Sequence, residues 1–391
     1  MISVDDAFSI LENTTLSHKI EEVSLRNAYS YVLAETVIAP ISMPSFRQAN
    51  MDGCALALHD KLTYEIVGEI KAGDYCDAQL MPGQAMKIFT GAAVPDDAQA
   101  VIQIEKVTVN RNLLDLQEIV SPGTNVRPAG SQIVSGAKAL TKGTILNAAA
   151  IGFLSGLGFT SVKVYAKPKV GIVITGNELV QVGQPLPKGK VYDSNLIMLQ
   201  IALQSAHYHF INTYQVSDTF EETKSILQQA ISENDVVVVS GGISVGDYDF
   251  VGKALQSLAV ETLFYKVNQK PGKPLLCGKS KDKMIFALPG NPAASLTCFY
   301  VYVLPTIDRI SGKVVSYVPT ISKRLSHDYK VDNSRCQFLR AHISNDEVAI
   351  LPHQDSSMLD SFAAANALVF VQNGRYELTR DCKVAVYCIQ I

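Results

Sequence analysis

The sequence predicts a multidomain α/β plus β protein. A central doubly wound α/β domain is expected over residues 168–313, a mainly β insert over 46–140, a mixed linker domain from 1–45 plus 141–167, and a C-terminal β domain over 314–391. Three observations predict this. The 391 residues, 47% of them hydrophobic, can bury more than one core, which calls for two to four domains. Between residues 170 and 310, apolar runs of strand length alternate with helical periodicity, the pattern of a parallel sheet covered on both faces. On either side the segments are short, β-branched and punctuated by glycine, as in small β domains.

Taken in order, Ser3 with Asp6 makes a capping-box start to an amphipathic helix that uses Val4, Ala7, Phe8 and Leu11. A second short helix is expected around residues 28–34. The prolines of P-I-S-M-P-S-F then end regular structure, and Met51-Asp52-Gly53 makes a tight polar turn. Residues 64–70, 85–89 and 100–109 read as strands of the insert. Thr90 opens the T-G-A-A-V-P loop, where it either bonds the turn or faces a ligand. A helix of small residues spans 147–156, and Pro168 marks the next boundary.

In the central domain, strands are expected at 170–174, 208–213, 236–239, 262–265, 275–277 and 284–287. The stretch D-V-V-V-V-S-G-G-I-S-V-G, Asp235 to Gly246, organises the rest. Four consecutive valines read as a strand buried on both faces, because a half-exposed strand would alternate apolar and polar side chains. The strand stops at Ser240. Gly241 and Gly242 leave backbone N–H groups uncovered, and Ser244, Gly246 and Asp247 follow, so the loop is either an anion cradle or a plain glycine-rich turn.

Ligands of open α/β sheets bind beyond the carboxyl ends of the strands. There stand T-G-N-E-L with Glu178, the glycine loop, and L-P-G-N-P with Pro289, Gly290 and Asn291. Asn291 can N-cap a helix whose first residue is Pro292. Y-D-S-N brings Asp193 and Ser194 to the start of another helix, and Lys266, Lys270 and Lys273 surround K-P-G-K-P. A lysine about 4 Å from an oxyanion is worth roughly 4 kcal/mol at an effective dielectric near 20. Glu178, Asp193, Asp218, Asp247 and Asp249 would repel a phosphate unless a hard cation such as Mg2+ lay between. Taken singly, each acid also reads as a helix cap or a solvated turn.

Composition excludes other classes. A formal net charge of -3 gives no whole-molecule attraction for nucleic acid or membrane. Seven widely spaced cysteines without a C-x-x-C argue against a disulfide framework or zinc site. His207-Tyr208-His209 alternates along a strand and lacks a third ligand, so it reads as structural. The acidic N-terminus and the lack of a membrane-spanning apolar run point to the cytoplasm.

The order M-D-G, T-G-A-x-V-P, T-G-N-E, Y-D-S-N, S-G-G-I-S-V-G-D-Y-D, K-P-G-K-P and L-P-G-N-P resembles the molybdopterin molybdenumtransferase family, the MoeA family that includes the gephyrin E-domain. It covers essentially the whole chain. T-G-x-E, S-G-G and P-G-N-P also fit related molybdopterin-binding domains; M-D-G and K-P-G-K-P narrow the choice. The resemblance implies an enzyme of molybdenum cofactor biosynthesis that inserts molybdenum from molybdate into adenylylated molybdopterin and releases AMP. It implies a homodimer in which Asp52 and Thr90 complete a neighbour's site, with molybdopterin adenylyltransferase and molybdoenzyme apoproteins as further partners. Ser240, Gly241, Gly242, Ser244, Asp247, Asp193, Ser194, Pro289, Gly290 and Asn291 would hold the nucleotide or pterin phosphate. Asp218 and Asp249 would hold Mg2+, and Glu178, Lys266 and Lys270 would lie nearest the chemistry. Lys270, Lys273, Arg340 and Ser356 would bind molybdate, a tetrahedral dianion suited to a cationic fork and a hydroxyl.

Two positions depart from the family pattern. M-D-G-Y-A reads M-D-G-C-A, losing a phenol at Cys54, and G-E-D-I reads G-S-Q-I, with the amide of Gln132 where an acid is common. Two readings of other classes stand beside the enzyme: a non-catalytic dimeric scaffold, and an adenylyltransferase-like nucleotide-binding protein, against which the additional β domains argue.

Overall fold

The computed structural model describes residues 1–391 except 75–76, 78, 244–249, 332–333, 375–376 and 390–391. The chain divides into two compact units, one of residues 1–21, 30–34 and 164–391, the other of 22–29 and 35–163. Among the described residues no helix is long and apolar enough to cross a membrane.

The first unit opens with helix α1, Val4–Asn13, whose Ser3 and Asp6 form the expected reciprocal capping box. Val4, Ala7, Phe8 and Leu11 are its buried face. The helix expected at 28–34 does not form. Leu25–Asn27 is a 3-10 turn, Ser30 takes a φ of 64°, and Val32–Leu33 is a fully buried strand paired with Tyr165 and Val164. A β-branched Val32 beside Tyr29 and Tyr31 suits a strand better than a helix.

In the second unit, β1 (Gly53–Leu56), β2 (Thr63–Ile70), β3 (Gln84–Ile88), β4 (Ala100–Gln103), β5 (Val107–Asn110) and β6 (Leu113–Leu116) form one sheet. Its order is β4-β1-β3-β2-β6-β5, with only β2 and β3 parallel. The run expected as one strand at 100–109 is broken by a 3-10 turn at Ile104–Lys106. Cys54 lies in this core beside Leu56 and Tyr64, and burial pushes its thiol up to about 11. Helix α2, Ala148–Gly156, starts where the Asn147 side chain accepts the Ala150 N–H.

The first unit resumes with β7 (Val170–Thr175), α3 (Asn195–Ser205), β8 (Ile211–Val216), α4 (Phe220–Glu233), β9 (Val236–Ser240), α5 (Phe250–Ser257), β10 (Glu261–Tyr265), β11 (Gln269–Lys270), β12 (Leu276–Ser280) and β13 (Lys283–Leu288). The main sheet runs β8-β7-β9-β13-β12-β10. All residues of β9 are buried. Val236 and Val238 face a core shared with α1 and α3, while Val237 and Val239 face one shared with α4 and α5. The parallel sheet turns antiparallel at one edge, in the β13–β12 and β12–β10 pairs. Lys281 and Asp282 alone join β12 to β13, with Lys281 at a φ of 57°, and a parallel neighbour would need a crossover of about a dozen residues.

The strand expected at 208–213 begins at Ile211. Tyr208 is instead buried, with its hydroxyl 2.6 Å from Asp308 Oδ1 and 2.6 Å from Ser311 Oγ, and His207 has a φ of 67°, so the His-Tyr-His triplet does not run along a strand. After α6 (Pro292–Cys298), π-helical Phe299–Val303 and α7 (Leu304–Ile310) come β14 (Ile321–Leu325), β15 (Cys336–Ser344), β16 (Glu347–Ile350), α8 (Asp360–Ala364), β17 (Ala367–Val371) and β18 (Lys383–Cys388). Pairing in the order β15-β16-β14-β18-β17 and back to β15 closes a barrel. Strand β11, which carries Lys270, pairs with β15 of that barrel.

Candidate functional site

A cavity of about 380 Å³ opens at the carboxyl ends of β7, β9 and β13. Glu178, Asp218, Ser240, Gly241, Gly242, Pro289, Gly290 and Asn291 all contribute to its lining. Local chemistry explains why glycine stands there. Gly241 and Gly242 have φ values of 92° and 63°, and a Cβ on them would lie 2.6 Å from the Thr175 carbonyl oxygen and 2.7 Å from Thr175 Oγ1, respectively. Only glycine allows this approach without strain. A Cβ on Gly290 would come 3.7 Å from the Gly241 Cα, so the loops after β9 and β13 nearly touch.

Asn195, at the start of α3, joins these loops. It is 9% exposed, and its Nδ2 donates to Ser240 Oγ and to the Gly290 carbonyl, each at 2.8 Å. Its Oδ1 and the Oγ1 of Thr175 are buried without a hydrogen-bond partner among the described residues. Neither residue stood out in the sequence, although each belongs to a motif: Thr175 begins T-G-N-E and Asn195 ends Y-D-S-N.

Asp218 fixes the T-G-N-E loop, since its Oδ2 accepts the Asn177 N–H at 3.1 Å and its own N–H donates to Asn177 Oδ1 at 3.2 Å. Glu178 is exposed on that loop. Asp193 is placed as a helix cap, its Oδ1 accepting the Leu196 N–H at 3.2 Å, and neither it nor Ser194 lines the cavity. Ser244, Asp247 and Asp249 lie outside the described residues. Among the described residues no three carboxylate, histidine or cysteine groups gather as a metal cluster.

The K-P-G-K-P loop reaches the cavity wall through Pro274, while Lys266, Lys270 and Lys273 lie off its lining. Lys266 places its Nζ 4.8 Å from the Tyr265 ring centroid, and Lys273 is exposed. Beneath the loop, fully buried Gln269 donates from Nε2 to the carbonyls of Pro271 and Gly272, both at 3.2 Å, and accepts from the Tyr302 hydroxyl. This clip was not legible in the sequence, because a glutamine at a strand end carries no distinctive signal.

Arg340 has no exposed surface. Its Nη2 donates to the carbonyls of His353 at 2.5 Å and Asp355 at 3.1 Å, while Nε and Nη1 are buried without a hydrogen-bond partner among the described residues. Burial lowers its pKa below the usual range, opposed by Asp360 and Asp355. The loop it holds carries Ser356, whose Oγ accepts from Asn291 Nδ2 at 2.7 Å and whose carbonyl accepts the Ala294 N–H at 3.1 Å. The Asn291 side chain therefore does not cap α6, as the sequence suggested, but ties the cavity lip to the Ser356 loop. Nε and Nη1 together carry three N–H donors, the kind of group that a tetrahedral oxyanion can satisfy.

In the second unit, Asp52 and Thr90 form one pair. Asp52 Oδ1 accepts the Thr90 N–H at 2.7 Å and the Thr90 Oγ1 hydroxyl at 2.6 Å, and these bonds hold the carboxyl below its ordinary pKa. Both are exposed, as is Gln132.

The chain matches three family models: the MoeA N-terminal region (domain I and II) at residues 2–158, a probable molybdopterin binding domain at 171–309, and the MoeA C-terminal region (domain IV) at 323–387. It is 33% identical over 386 residues to the molybdopterin molybdenumtransferase of Haemophilus influenzae, covering 96% of this chain and 95% of that one. It is 29% identical over 401 residues to the Bacillus subtilis protein of the same name, covering 98% and 93%. The crystal structure of the molybdopterin biosynthesis MoeA protein from Pyrococcus horikoshii superimposes with a TM-score of 0.84 at 28% identity, over 100% of both chains.

Proposed function

Because the chain belongs to the MoeA family of molybdopterin molybdenumtransferases and so to molybdenum cofactor biosynthesis, we propose that it inserts molybdenum from molybdate into adenylylated molybdopterin and releases AMP, as a cytoplasmic homodimer. The observation that carries the reading is a glycine-walled cavity at the strand ends, tied through Asn291 and Ser356 to a loop held by a buried arginine with unpaired donors. In this reading the loop after β9 holds phosphate beyond Gly241, whose own N–H donates to the Leu288 carbonyl, and the absence of Cβ atoms lets the phosphate approach. Ser356, Arg340, Lys270 and Lys273 hold molybdate, with the Gln269 clip fixing the lysine loop. Assembled as a homodimer, each protomer lends its Asp52–Thr90 pair to its partner.

Mg2+ is bound by one or two carboxylates plus phosphate oxygens and water, and Glu178 with Asp218 on the cavity wall is a donor set of that kind. When bound there, the ion would neutralise charge on the phosphoric anhydride. The test is incubation with adenylylated molybdopterin, molybdate and Mg2+, followed by reconstitution of a molybdoenzyme apoprotein. Active molybdoenzyme is the expected result. None, with a proven family member succeeding in parallel, leaves the non-catalytic scaffold as the better reading.

A further inference from the structure

The K-P-G-K-P loop rests on a buried polar pair. Lys270 is half-buried and Lys273 exposed, while Pro271 and Gly272 between them are buried. The two carbonyls that set the span from one lysine to the other therefore lie inside the protein, where an unpaired acceptor is costly. Gln269 Nε2 holds both, 3.2 Å from each. Since a carbonyl only accepts, the amide must turn its NH2 toward the loop and its Oε1 away, and there Oε1 accepts from the Tyr302 hydroxyl. Burial raises the Tyr302 pKa well above its ordinary value, so the hydroxyl keeps the proton it donates.

Tyr302 reaches this position on an irregular turn. It lies in the π-helical segment Phe299–Val303, closed by the Leu304 N–H donating to the Phe299 carbonyl, and its own carbonyl accepts the Thr306 hydroxyl at 2.8 Å. Such π turns are rare and frequently mark functional sites. The ring packs with centroids 5.5 Å from Phe8 and 6.4 Å from Phe264, contacts that need no hydroxyl.

We infer that Tyr302 is a positioning residue of the oxyanion loop: its hydroxyl holds the Gln269 amide in the orientation that fixes the Pro271 and Gly272 carbonyls, and with them the spacing of Lys270 and Lys273. This rests on the proposed function, in which those lysines hold molybdate. Tyr302 is fully buried and itself reaches no substrate. Without its hydroxyl the amide oxygen loses its donor, and the clip weakens from beneath the loop.

The test is Tyr302→Phe, which keeps the ring and removes only the donor. Molybdate half-saturation of product formation is expected to rise about three- to ten-fold, the scale of one neutral hydrogen bond, while turnover at saturating molybdate and AMP affinity stay at the wild-type values. Amide hydrogen exchange in residues 266–275 should quicken in the same variant. Two further variants separate positioning from plain stability. Thr306→Val removes the bonds to the Tyr302 carbonyl and the Tyr317 hydroxyl without touching Gln269, and should lower the urea midpoint but leave half-saturation unchanged. Gln269→Met combined with Tyr302→Phe replaces both polar groups by apolar ones, and should restore the urea midpoint but not the half-saturation. It also carries the test if Tyr302→Phe alone does not fold. A half-saturation that stays at the wild-type value in Tyr302→Phe, returns to it in the double variant, or rises equally in Thr306→Val overturns the assignment. If the wild-type protein forms no molybdate-dependent product, the proposed function fails and takes this inference with it, whereas unchanged exchange in residues 266–275 refutes only the role of Tyr302.

Discussion

Arg340→Ala is expected to damage two sites through one loop. The guanidinium is fully buried on the face of β15 opposite Leu339 and Ala341, 5.5 Å from the Phe362 ring of α8, and Nη2 makes two charge-assisted bonds to the carbonyls of His353 and Asp355. A hydrogen bond to a charged group contributes about 1.5–3 kcal/mol, and truncation also leaves both carbonyls under-satisfied, so the loss of stability should be about 3–5 kcal/mol. The freed segment carries Ser356, so the 2.7 Å bond to Asn291 should loosen with it. Molybdate half-saturation should rise about ten- to a hundred-fold, the effect of losing roughly 1.4–2.8 kcal/mol at the oxyanion. AMP affinity should also fall, because Asn291 lines the cavity. The Ser356–Asn291 bond couples the two sites. Ser356→Ala should reproduce a weaker form of both binding effects with little loss of stability. The assays are urea denaturation followed by tyrosine fluorescence, which the absence of tryptophan permits, molybdate titration of product formation, and AMP calorimetry. An Arg340→Ala protein within about 1 kcal/mol of wild type, with an unchanged molybdate requirement, would refute the reasoning.

Two further perturbations follow from named contacts. Gly272 has a φ of 89°, and a Cβ there would lie 2.9 Å from Gln269 Nε2 and nearer still to Cys298 Sγ, so Gly272→Ala should cost about 1–3 kcal/mol and shift the lysine loop. Molybdate half-saturation should rise while AMP affinity holds; an unshifted half-saturation would detach the loop from the oxyanion. Thr90→Val removes the hydroxyl bond to Asp52, so the Asp52 carboxyl should titrate closer to its ordinary value by NMR. Since the folded pKa is depressed, the bond's stabilisation is present above the unfolded pKa and is lost as pH falls through the folded one, so the variant should lose less stability in acid than wild type. An Asp52 pKa that does not move would show that Thr90 does not set it.

Much of this was legible because it is periodic or punctuated. Four valines gave β9, Ser3 and Asp6 gave the start of α1, and the glycines beyond β9 marked the cavity. The helix expected at residues 28–34 gives way to a strand, where burial of Val32 and Leu33 reinforces their local preference. Sheet direction reverses at β12 because a two-residue turn excludes a crossover. The buried polar contacts were the least legible. Asn195, Gln269 and Arg340 act through partners distant in sequence, such as Gly290, Tyr302 and His353, and only the fold brings these together. Cys54 proves to be a core position, a buried thiol beside Leu56 and Tyr64.

The most direct test of the central claim is the ratio of AMP released to molybdenum bound when purified protein meets adenylylated molybdopterin with and without molybdate. The account predicts one AMP per molybdenum incorporated and little release without molybdate. AMP release that is independent of molybdate, or molybdenum uptake without AMP, would contradict it.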